Sequence, residues 1–397
     1  MAFKRLKDMD LKGKRVLVRV DFNVPLDDKL QITDDTRIRA SLPTIKFIME
    51  KGGRQIVMSH LGRPKGKPVP SMSLKPAAAR LGELLGKTVI CAPDCVGFDV
   101  EAIVNKLQDG EVLLLENLRF HAEEEKNEPD FSKKLAALGT VYVNDAFGSA
   151  HRAHSSTAGV CDYIPERAPG FLMEKELDYL GKALENPSCP FVAILGGAKI
   201  SGKIDVITNL ISKVDSLIIG GGLANTFLKA EGMEIGSSLV ENDKLEIARN
   251  TLSLAAEQNK PLLLPKDAVV ADTFNNDAKH KTISVMEMTQ GWQILDIGPA
   301  TRELYAEKIK SAKTIIWNGP MGVFEMDNFS EGTKAIAVAI AEATKKGATS
   351  VVGGGDSIAA LSKFNLTDAM SHVSTGGGAS LEFLEGKTLP GVAALNV

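Results

Sequence analysis

The sequence has no long apolar run and little excess of charge of either sign. No stretch of about 18 apolar residues occurs, so we expect no membrane-spanning helix. The first ten residues, MAFKRLKDMD, are charged without an apolar core, which is not typical of a signal peptide. The formal net charge of −3 provides no general attraction for nucleic acid or an anionic membrane. The sequence therefore favours a soluble protein with neither a membrane nor a nucleic acid as partner.

Cysteine is also sparse. The four cysteines, Cys91, Cys95, Cys161 and Cys189, are scattered, and this usage suits a reducing cytoplasm. Cys91 and Cys95 could begin a metal site, but no second pair of Cys or His at suitable spacing completes it. We therefore interpret the cysteines as buried thiols.

Short β-branched runs alternate with helical patterns along the whole chain, whose 397 residues are enough for two domains. Continuous apolar strands indicate parallel sheets covered by helices on both faces. The predicted fold is therefore α/β, with two doubly wound, Rossmann-like parallel-sheet domains. The predicted strands are Val16–Val20, Gln55–Ser59, Thr88–Cys91, Val112–Leu115, Val141–Val143, Val192–Leu195, Ser216–Ile219, Leu262–Leu264, Thr314–Trp317 and Ser350–Val352. The clearest helical patterns are Arg37–Lys51, Leu74–Leu85, Lys244–Gln258 and Thr333–Lys346.

The boundary between the domains is predicted in the stretch Phe171–Pro190. A helical pattern from Met173 is broken by Pro187 and Pro190, which is typical of a connecting helix and hinge. An ordinary surface helix followed by a loop explains the same pattern equally well.

Polar and arginine residues follow the predicted strands of the first half, where ligands of open α/β sheets collect. Eleven of the thirteen arginines precede residue 170, and the guanidinium fork suits carboxylate or phosphate. A salt bridge within a loop would explain any one of these polar residues, but the whole group of residues indicates a compact anionic ligand. The residues concerned are Asp21, Asn23, Arg37, Arg63, Arg119 and Arg152, and the loop after the second strand also carries His60, Leu61 and Gly62. His151 and His154 lack a carboxylate and a third ligand, so we interpret them as phosphate contacts or loop packing rather than a metal site.

The stretch Phe191–Asp205 resembles a phosphate-binding loop, with a strand, a glycine turn and the start of a helix. Lys199 and Lys203 add charge to the free amides of the helix start. The spacing Gly197-x4-Gly202-Lys203 nearly matches a P-loop, but Ile204 stands where Ser or Thr would hold a metal.

Glycine turns follow the other strands of the second half. They lie at 220–222, 319, 353–355 and 376–378, and several at corresponding places indicate a nucleotide cleft. Asp356 is the natural Mg²⁺ carboxylate there, since Mg²⁺ is commonly held by one or two carboxylates and the phosphates. Asp356 or Ser357 could instead be an N-cap.

Nine motifs, spread in order over the whole chain, resemble those of phosphoglycerate kinases. They are RVDFNVP (Arg19–Pro25), SHLGRP (Ser59–Pro64), ENLRF (Glu116–Phe120), NDAFGSAHRAHSS (Asn144–Ser156), GFLMEKEL (Gly170–Leu177), GGAKISGKI (Gly196–Ile204), WNGPMGVFE (Trp317–Glu325), GGGDS (Gly353–Ser357) and STGGGASLEFLEG (Ser374–Gly386). Two positions depart from the family: Gly202 stands where Asp is usual, and Ser357 where Thr is common.

The resemblance implies a glycolytic kinase that moves a phosphoryl group from 1,3-bisphosphoglycerate to MgADP, giving 3-phosphoglycerate and MgATP. It implies a cytoplasmic monomer that closes about a hinge at 173–188.

By the resemblance, residues 1–172, with a returning tail at about 389–397, bind phosphoglycerate through the nine residues named above. Residues 189–388 bind ADP or ATP, and Mg²⁺ at Asp356. The nucleotide residues implied are Gly197, Ala198, Lys203, Gly221, Gly222, Asn318, Pro320, Val323, Glu325, Gly354, Gly355, Asp356 and Ser357. The catalytic residues implied are Arg37, Lys199, Lys203, Gly377 and Gly378, joined by the amide of Gly376.

Two other classes of function are possible from the residues alone. A P-loop NTPase is disfavoured by Ile204, and a non-catalytic two-domain binding protein is disfavoured by the Mg²⁺-type Asp356 in a glycine loop.

Overall fold

The computed structural model describes residues 3–396, which divide into two compact units. The first comprises residues 3–177 with 388–396, and the second is Asp178–Lys387. Each contains a six-stranded sheet whose strands are all parallel, so the predicted fold class is confirmed. Within residues 3–396, no helix combines the length and apolarity needed to cross a membrane.

The strands of the first unit are β1 (Arg15–Arg19), β2 (Arg54–Met58), β3 (Ile90–Cys91), β4 (Val112–Leu114), β5 (Val141–Asn144) and β6 (Arg167–Pro169). They form one sheet in the order β3-β4-β2-β1-β5-β6. The helices are α1 (Thr36–Glu50), α2 (Lys75–Leu85), α3 (Phe98–Val104), α4 (Ala122–Lys126), α5 (Pro129–Ala136) and α6 (Phe171–Glu185). The division between the two units falls within α6, after Leu177.

Both faces of this sheet are buried, which explains why its strands are continuously apolar. Val16 and Val18 of β1 belong to one hydrophobic cluster with Ile45 of α1, whereas Leu17 belongs to another with Leu135 of α5. Successive side chains of a strand point to opposite faces, so each face needs its own helical cover.

The parallel strands of the second unit are β7 (Phe191–Leu195), β8 (Ser216–Ile219), β9 (Leu262–Leu263), β13 (Thr314–Asn318), β14 (Thr349–Gly353) and β15 (His372–Val373). They form one sheet in the order β15-β14-β13-β7-β8-β9. A separate antiparallel sheet, not predicted from the sequence, consists of β10 (Asp267–Ala271), β11 (His280–Ser284) and β12 (Gln293–Ile297). The helices are α7 (Ile204–Ile211), α8 (Gly221–Ala230), α9 (Leu245–Glu257), α10 (Pro299–Ser311), α11 (Glu331–Lys345), α12 (Gly355–Lys363) and α13 (Gly378–Leu384).

The end of the chain packs on the first unit through α14 (Pro390–Ala393). Gly391 N–H donates to the Ala150 carbonyl oxygen at 2.8 Å, and Arg167 donates to the Asn396 carbonyl oxygen at 2.8 Å. Short 3₁₀ helices complete the secondary structure at Leu6–Asp8, Pro70–Met72, Leu118–Phe120, Phe147–Ser149, Gly159–Asp162, Asn242–Lys244, Val285–Glu287, Asp327–Phe329 and Thr367–Ala369.

Candidate functional site

The parallel register of the first unit brings the predicted anion-binding residues to one edge of its sheet. Arg19, the last residue of β1, is aligned with Met58 of β2 and with Asn144 of β5. The segments that follow these strands, beginning near Asp21 and His60, therefore start at the same level.

Asp21 and Arg37 form an ion pair at this edge. Arg37 is the second residue of α1, and its Nη1 lies 3.0 Å from Oδ1 of Asp21. The same oxygen accepts a hydrogen bond from Asn23 N–H at 3.1 Å. Burial would raise the pKa of Asp21, but the guanidinium groups of Arg37 and Arg19 and the hydrogen bond from Asn23 N–H lower it below its usual value. Asp21 is therefore an ionised carboxylate that fixes the position of Arg37.

The loop that carries His60, Leu61, Gly62 and Arg63 is held by side chains from two other strand ends. The side-chain oxygen of Asn23 accepts from Gly62 N–H at 2.8 Å. Arg119 donates to the Gly62 carbonyl oxygen at 2.9 Å, so the loop is fixed from both sides. Gly62 itself has a φ of +62°, a left-handed conformation that favours glycine.

Two of the predicted arginines have exposed side chains. Arg63 lies in the His60 loop, and Arg152 lies in the segment after the 3₁₀ helix Phe147–Ser149. Arg119 is more buried, and its Nε lies 3.2 Å from Glu125 Oε1. Exposed guanidinium groups retain their full donor capacity for an anionic ligand.

The two histidines of the same segment differ in burial. His154 is buried, and its carbonyl oxygen accepts from Thr157 and Ala158, which is loop packing. Burial, followed by the nearby arginines, lowers the pKa of His154 to about 4, so the ring is neutral. The ring of His151 is partly exposed.

Backbone contacts between strand ends form the candidate nucleotide site of the second unit. Leu195 of β7 is aligned with Asn318 of β13, which is in turn aligned with Gly353 of β14. Gly197 N–H donates to the Pro320 carbonyl oxygen at 2.8 Å, and Gly221 N–H donates to that of Met321 at 3.0 Å. A Cβ atom on Gly221 would lie 2.7 Å from the Gly197 carbonyl oxygen, so these turns require glycine.

Lys203 lies at the base of these turns, immediately before α7. Its Nζ donates to the carbonyl oxygens of Gly196 at 2.6 Å and Asn318 at 2.8 Å. Burial lowers the pKa of Lys203 to about 8, although Asp356 acts in the opposite direction. Lys199, by contrast, is exposed in the loop that precedes α7.

Asp356 and Ser357 occupy the first turn of α12 but not its N-cap position, which is Gly354. Asp356 is exposed, whereas Ser357 is fully buried and its Oγ accepts from Gly319 N–H at 2.6 Å. Ser357 therefore holds the turn after β13 against α12.

The side chain of Asn318 has a free donor beside this turn. Its Nδ2 atom is buried with no hydrogen-bond partner among residues 3–396. A Cβ atom on Gly354, whose φ is +90°, would lie 3.1 Å from that nitrogen. A buried donor without a partner is costly unless a ligand or water accepts from it.

The remaining predicted residues lie on the same turns or just beyond them. Glu325 is exposed, and Val323 N–H donates to the Leu295 carbonyl oxygen at 2.8 Å. Gly377 and Gly378 are exposed at the start of α13, where Gly376 N–H donates to Ser374 Oγ at 3.2 Å. The amides of a helix start are suited to an anion, although this helix is short.

Comparison with known proteins identifies the family. The family profile described as phosphoglycerate kinase matches residues 6–387. The phosphoglycerate kinase of Chlorobium phaeobacteroides is 59% identical over 396 residues, covering 100% of both chains. The chain belongs to the phosphoglycerate kinase family. It is accordingly an enzyme of glycolysis that transfers a phosphoryl group between 1,3-bisphosphoglycerate and ADP.

Solved structures of phosphoglycerate kinases share the fold. The structure from Coxiella burnetii has a TM-score of 0.92 with 46% identity and covers 99% of each chain. The structure from Pyrococcus horikoshii OT3 has a TM-score of 0.84 with 35% identity and covers 98% of each chain. Both comparisons span the two units, so the resemblance inferred from nine short motifs is confirmed for the whole chain.

Three residues that support the candidate site were not predicted from the sequence. Arg19 is only 1% exposed, and its Nε donates to Ser156 Oγ at 2.9 Å. The Asn117 side chain accepts from Leu61 N–H at 3.2 Å and donates to the Leu61 carbonyl oxygen at 2.7 Å. Glu241 accepts from Ser201 N–H at 3.0 Å and so holds the loop that carries Lys199. These residues act through contacts that are distant in sequence. Arg19 and Asn117 lie within two of the nine motifs, but nothing in the sequence distinguishes Glu241.

The interpretation of the cysteines as buried thiols is wrong for two of them. All four are free, but only Cys95 and Cys161 are buried, whereas Cys91 and Cys189 are exposed. Cys91 ends β3 at the sheet edge and Cys189 lies in the segment before β7, where neither position is covered.

Proposed function

We propose that the first unit binds 3-phosphoglycerate and its 1,3-bisphosphate through the strand-end cluster around Asp21. The observation that carries this proposal is the convergence of Arg37, Arg119 and His60 on Asp21 and its neighbours at one sheet edge. Guanidinium groups recognise phosphate and carboxylate bidentately, and an ionised carboxylate accepts from a substrate hydroxyl. Arg63 and Arg152 are exposed and complete the positive surface.

The second unit, in this proposal, binds ADP or ATP at the turns after β7, β8, β13 and β14. Close backbone approach at Gly197 and Gly221, together with the unpartnered donor of Asn318, suits a phosphate chain. Glu325 would take the ribose hydroxyls, as the family resemblance implies.

Asp356 would hold Mg²⁺ bound with the nucleotide. Its carboxylate is exposed in the first turn of α12, beside the glycine turn, and a single carboxylate plus phosphates is a usual Mg²⁺ environment. When bound, the ion would neutralise phosphate charge. The residues present therefore fit a nucleotide-bound Mg²⁺.

The chemistry proposed here needs no general base. The acceptor in the reverse direction is the carboxylate of 3-phosphoglycerate, which is already ionised at neutral pH. Catalysis then consists of positioning and of stabilising charge on the transferring group. Arg37, Lys203, Lys199 and the amides of Gly377 and Gly378 would supply that stabilisation.

Because the two substrates are assigned to separate units, we propose that the units close about the hinge stretch 173–188 to bring the reacting oxygens in line. We also propose that the enzyme is a monomer of the cytoplasm. The four free thiols are compatible with a reducing compartment.

A coupled assay tests the proposal. ADP formation from MgATP should require 3-phosphoglycerate, and magnesium should be required as well. Steady ATP hydrolysis without phosphoglycerate would instead support an NTPase, and binding without turnover would support a ligand-binding protein. Neither alternative is supported by the relatives, and Ile204 begins α7 where a P-loop would place Ser or Thr.

A further inference from the structure

A cluster of three different metal-ligand side chains lies at the ends of β3 and β4. Asp94 and Cys95 follow β3, and His121 follows β4 and the 3₁₀ helix Leu118–Phe120. A carboxylate oxygen, the Cys95 sulfur and a His121 ring nitrogen all lie within 4.8 Å of one another. None of the three belongs to the proposed substrate or nucleotide sites. We propose that these residues form a Zn²⁺-type transition-metal site.

The separations suit one ion with little movement. A tetrahedral zinc site with one sulfur, one nitrogen and one oxygen ligand has ligand–ligand separations of about 3.2–3.6 Å. His121 Nε2 lies 2.7 Å from Asp94 Oδ1, so an ion would need only a small opening of that pair. Cys95 Sγ is already within the same small volume.

Packing holds the ligands in place. The His121 ring stacks on Phe131 with centroids 5.2 Å apart and an interplanar angle of 28°. Cys95 N–H donates to Asp94 Oδ1 at 2.6 Å, which fixes the carboxylate beside the thiol. Rigid, pre-oriented ligands lose little entropy when an ion binds.

Access and charge also favour a cation. Cys95 is fully buried, but the side chains of Asp94 and His121 are 47% and 27% exposed, so one side of the cluster is open to solvent. Water from that side can supply a fourth ligand. The Asp94 carboxylate and the Cys95 thiolate, which forms when metal binding releases the thiol proton, would both present negative charge to the ion.

The ligand set identifies the class of metal. A thiolate, an imidazole and a carboxylate are typical of Zn²⁺ and related ions, whereas Mg²⁺ takes oxygen ligands. The spacing of cysteines and histidines in the sequence does not predict this cluster. The histidine comes from the next strand of the sheet, and exposed Cys91 is outside the cluster.

Cobalt titration tests the proposal. The metal-free full-length protein, reduced with a phosphine, is titrated with Co²⁺ while thiolate-to-cobalt charge-transfer absorption is recorded. We expect one equivalent to produce that band together with strong visible bands of tetrahedral Co²⁺. Zn²⁺ should then displace the cobalt stoichiometrically, since it binds more tightly, and excess Mg²⁺ should not. Absence of the charge-transfer band from the wild-type protein would overturn the proposal.

Three variants locate the site. Cys95→Ser should abolish the charge-transfer band, and Cys91→Ser should leave it unchanged. His121→Phe retains an aromatic ring to stack on Phe131 and removes the nitrogen ligand. It should weaken Co²⁺ binding at least about a hundredfold, which is the upper end of what outer-shell substitutions cost. If Cys95→Ser does not fold, as judged by circular dichroism, the Co²⁺ affinity of His121→Phe becomes the test of the proposed site. Unchanged affinity in His121→Phe, or a band that depends on Cys91, would refute the assignment.

Discussion

Arg19 Nη2 lies 3.1 Å from His60 Nδ1, and both side chains are buried. A guanidinium group has only donors, so Nδ1 must accept and the ring proton lies on Nε2. Burial first, and then Arg19, Arg119 and Arg37, hold the pKa of His60 well below its usual value. His60 is therefore a neutral donor at the proposed substrate site, and Arg19 fixes its tautomer.

This relationship predicts the nuclear magnetic resonance behaviour of His60. In ¹⁵N-labelled protein, we expect the His60 ring to show the Nε2–H tautomer, unchanged between about pH 6 and 8, because its pKa lies below that window. The exposed ring of His280 serves as the internal comparison. A His60 ring that gains a second proton within this window would contradict the assignment.

The depressed pKa of Lys203 predicts loss of activity in alkaline solution. Below pH 8 the amine is charged and stabilises phosphoryl oxygens, and above it the neutral amine cannot, so activity should fall as pH rises. We expect kcat/KM, which reports groups of the free enzyme, to decline with a midpoint of about 8.

The comparison variant for this profile is Lys203→Met. It should lose roughly 10²-fold or more in kcat, the scale of one lost transition-state donor, and its residual activity should lack the decline near pH 8. A wild-type profile that stays flat to about pH 10, the usual range of lysine, would contradict a role for this amine.

Parallel strands and long helices could be predicted from the sequence because each unit buries both faces of its sheet. Helix α1 was predicted as Arg37–Lys51 and spans Thr36–Glu50. Of the strands that were missed, β6 is short and β11 is exposed. β6 has three residues and ends in Pro169, and the side chains of His280, Lys281 and Thr282 in β11 are exposed, so their patterns lack a continuous apolar run.

The location of the candidate site residues at strand ends could be predicted for the same topological reason, since parallel strands end at one edge. The residues that support them could not. Glu124, for example, is buried and accepts from Ser156 N–H at 3.0 Å, but nothing in its acidic helix distinguishes it from exposed Glu123. Such contacts depend on how loops fold over the sheet, and a single sequence does not contain that information.

The raised pKa of the Asp145 carboxyl predicts how the stability of the folded protein depends on pH. Its Oδ1 accepts from Leu172 N–H at 2.9 Å and Met173 N–H at 3.3 Å, and burial raises its pKa to about 7. Between about pH 4 and 7 the folded state therefore binds more protons than the unfolded state, so this carboxyl lowers stability as pH rises through that window.

Asp145→Asn removes this titration and retains an oxygen acceptor. We expect its stability relative to the wild type to improve progressively from about pH 4 to 7, by up to about 1.4 kcal/mol per unit of pKa shift. The measurement is the melting temperature across pH, with exposed Asp99→Asn as the control. A difference between Asp145→Asn and the wild type that is constant with pH would contradict the raised pKa.

Gly202 stands where the family resemblance implies Asp, and the structure has room for a side chain there. A Cβ atom on Gly202 meets no heavy atom within 4 Å. The residue lies just before Lys203, the N-cap of α7, where a negative charge interacts favourably with the helix dipole. Gly202→Asp should therefore stabilise the protein by about 0.5 kcal/mol.

The measurement is calorimetric, with neutral Gly202→Asn as the matched control. Gly202→Asp should raise the melting temperature of the second unit by about 1–2 °C, more than the Asn variant does. If the Asp variant melts no higher than the Asn variant, a negative charge at this helix start does not contribute to the stability of the second unit.

The central claim is that phosphoryl transfer relies on positioned charge, with Arg37 on the first unit as one of its sources. The most direct measurement is kcat of Arg37→Ala at saturating MgATP and 3-phosphoglycerate. Arg39→Ala is the control, since Arg39 is on the same helix and pairs with Asp35 at 2.8 Å instead. The account predicts a loss of roughly 10²-fold or more for Arg37→Ala and less than about twofold for Arg39→Ala. Wild-type kcat in Arg37→Ala would contradict it.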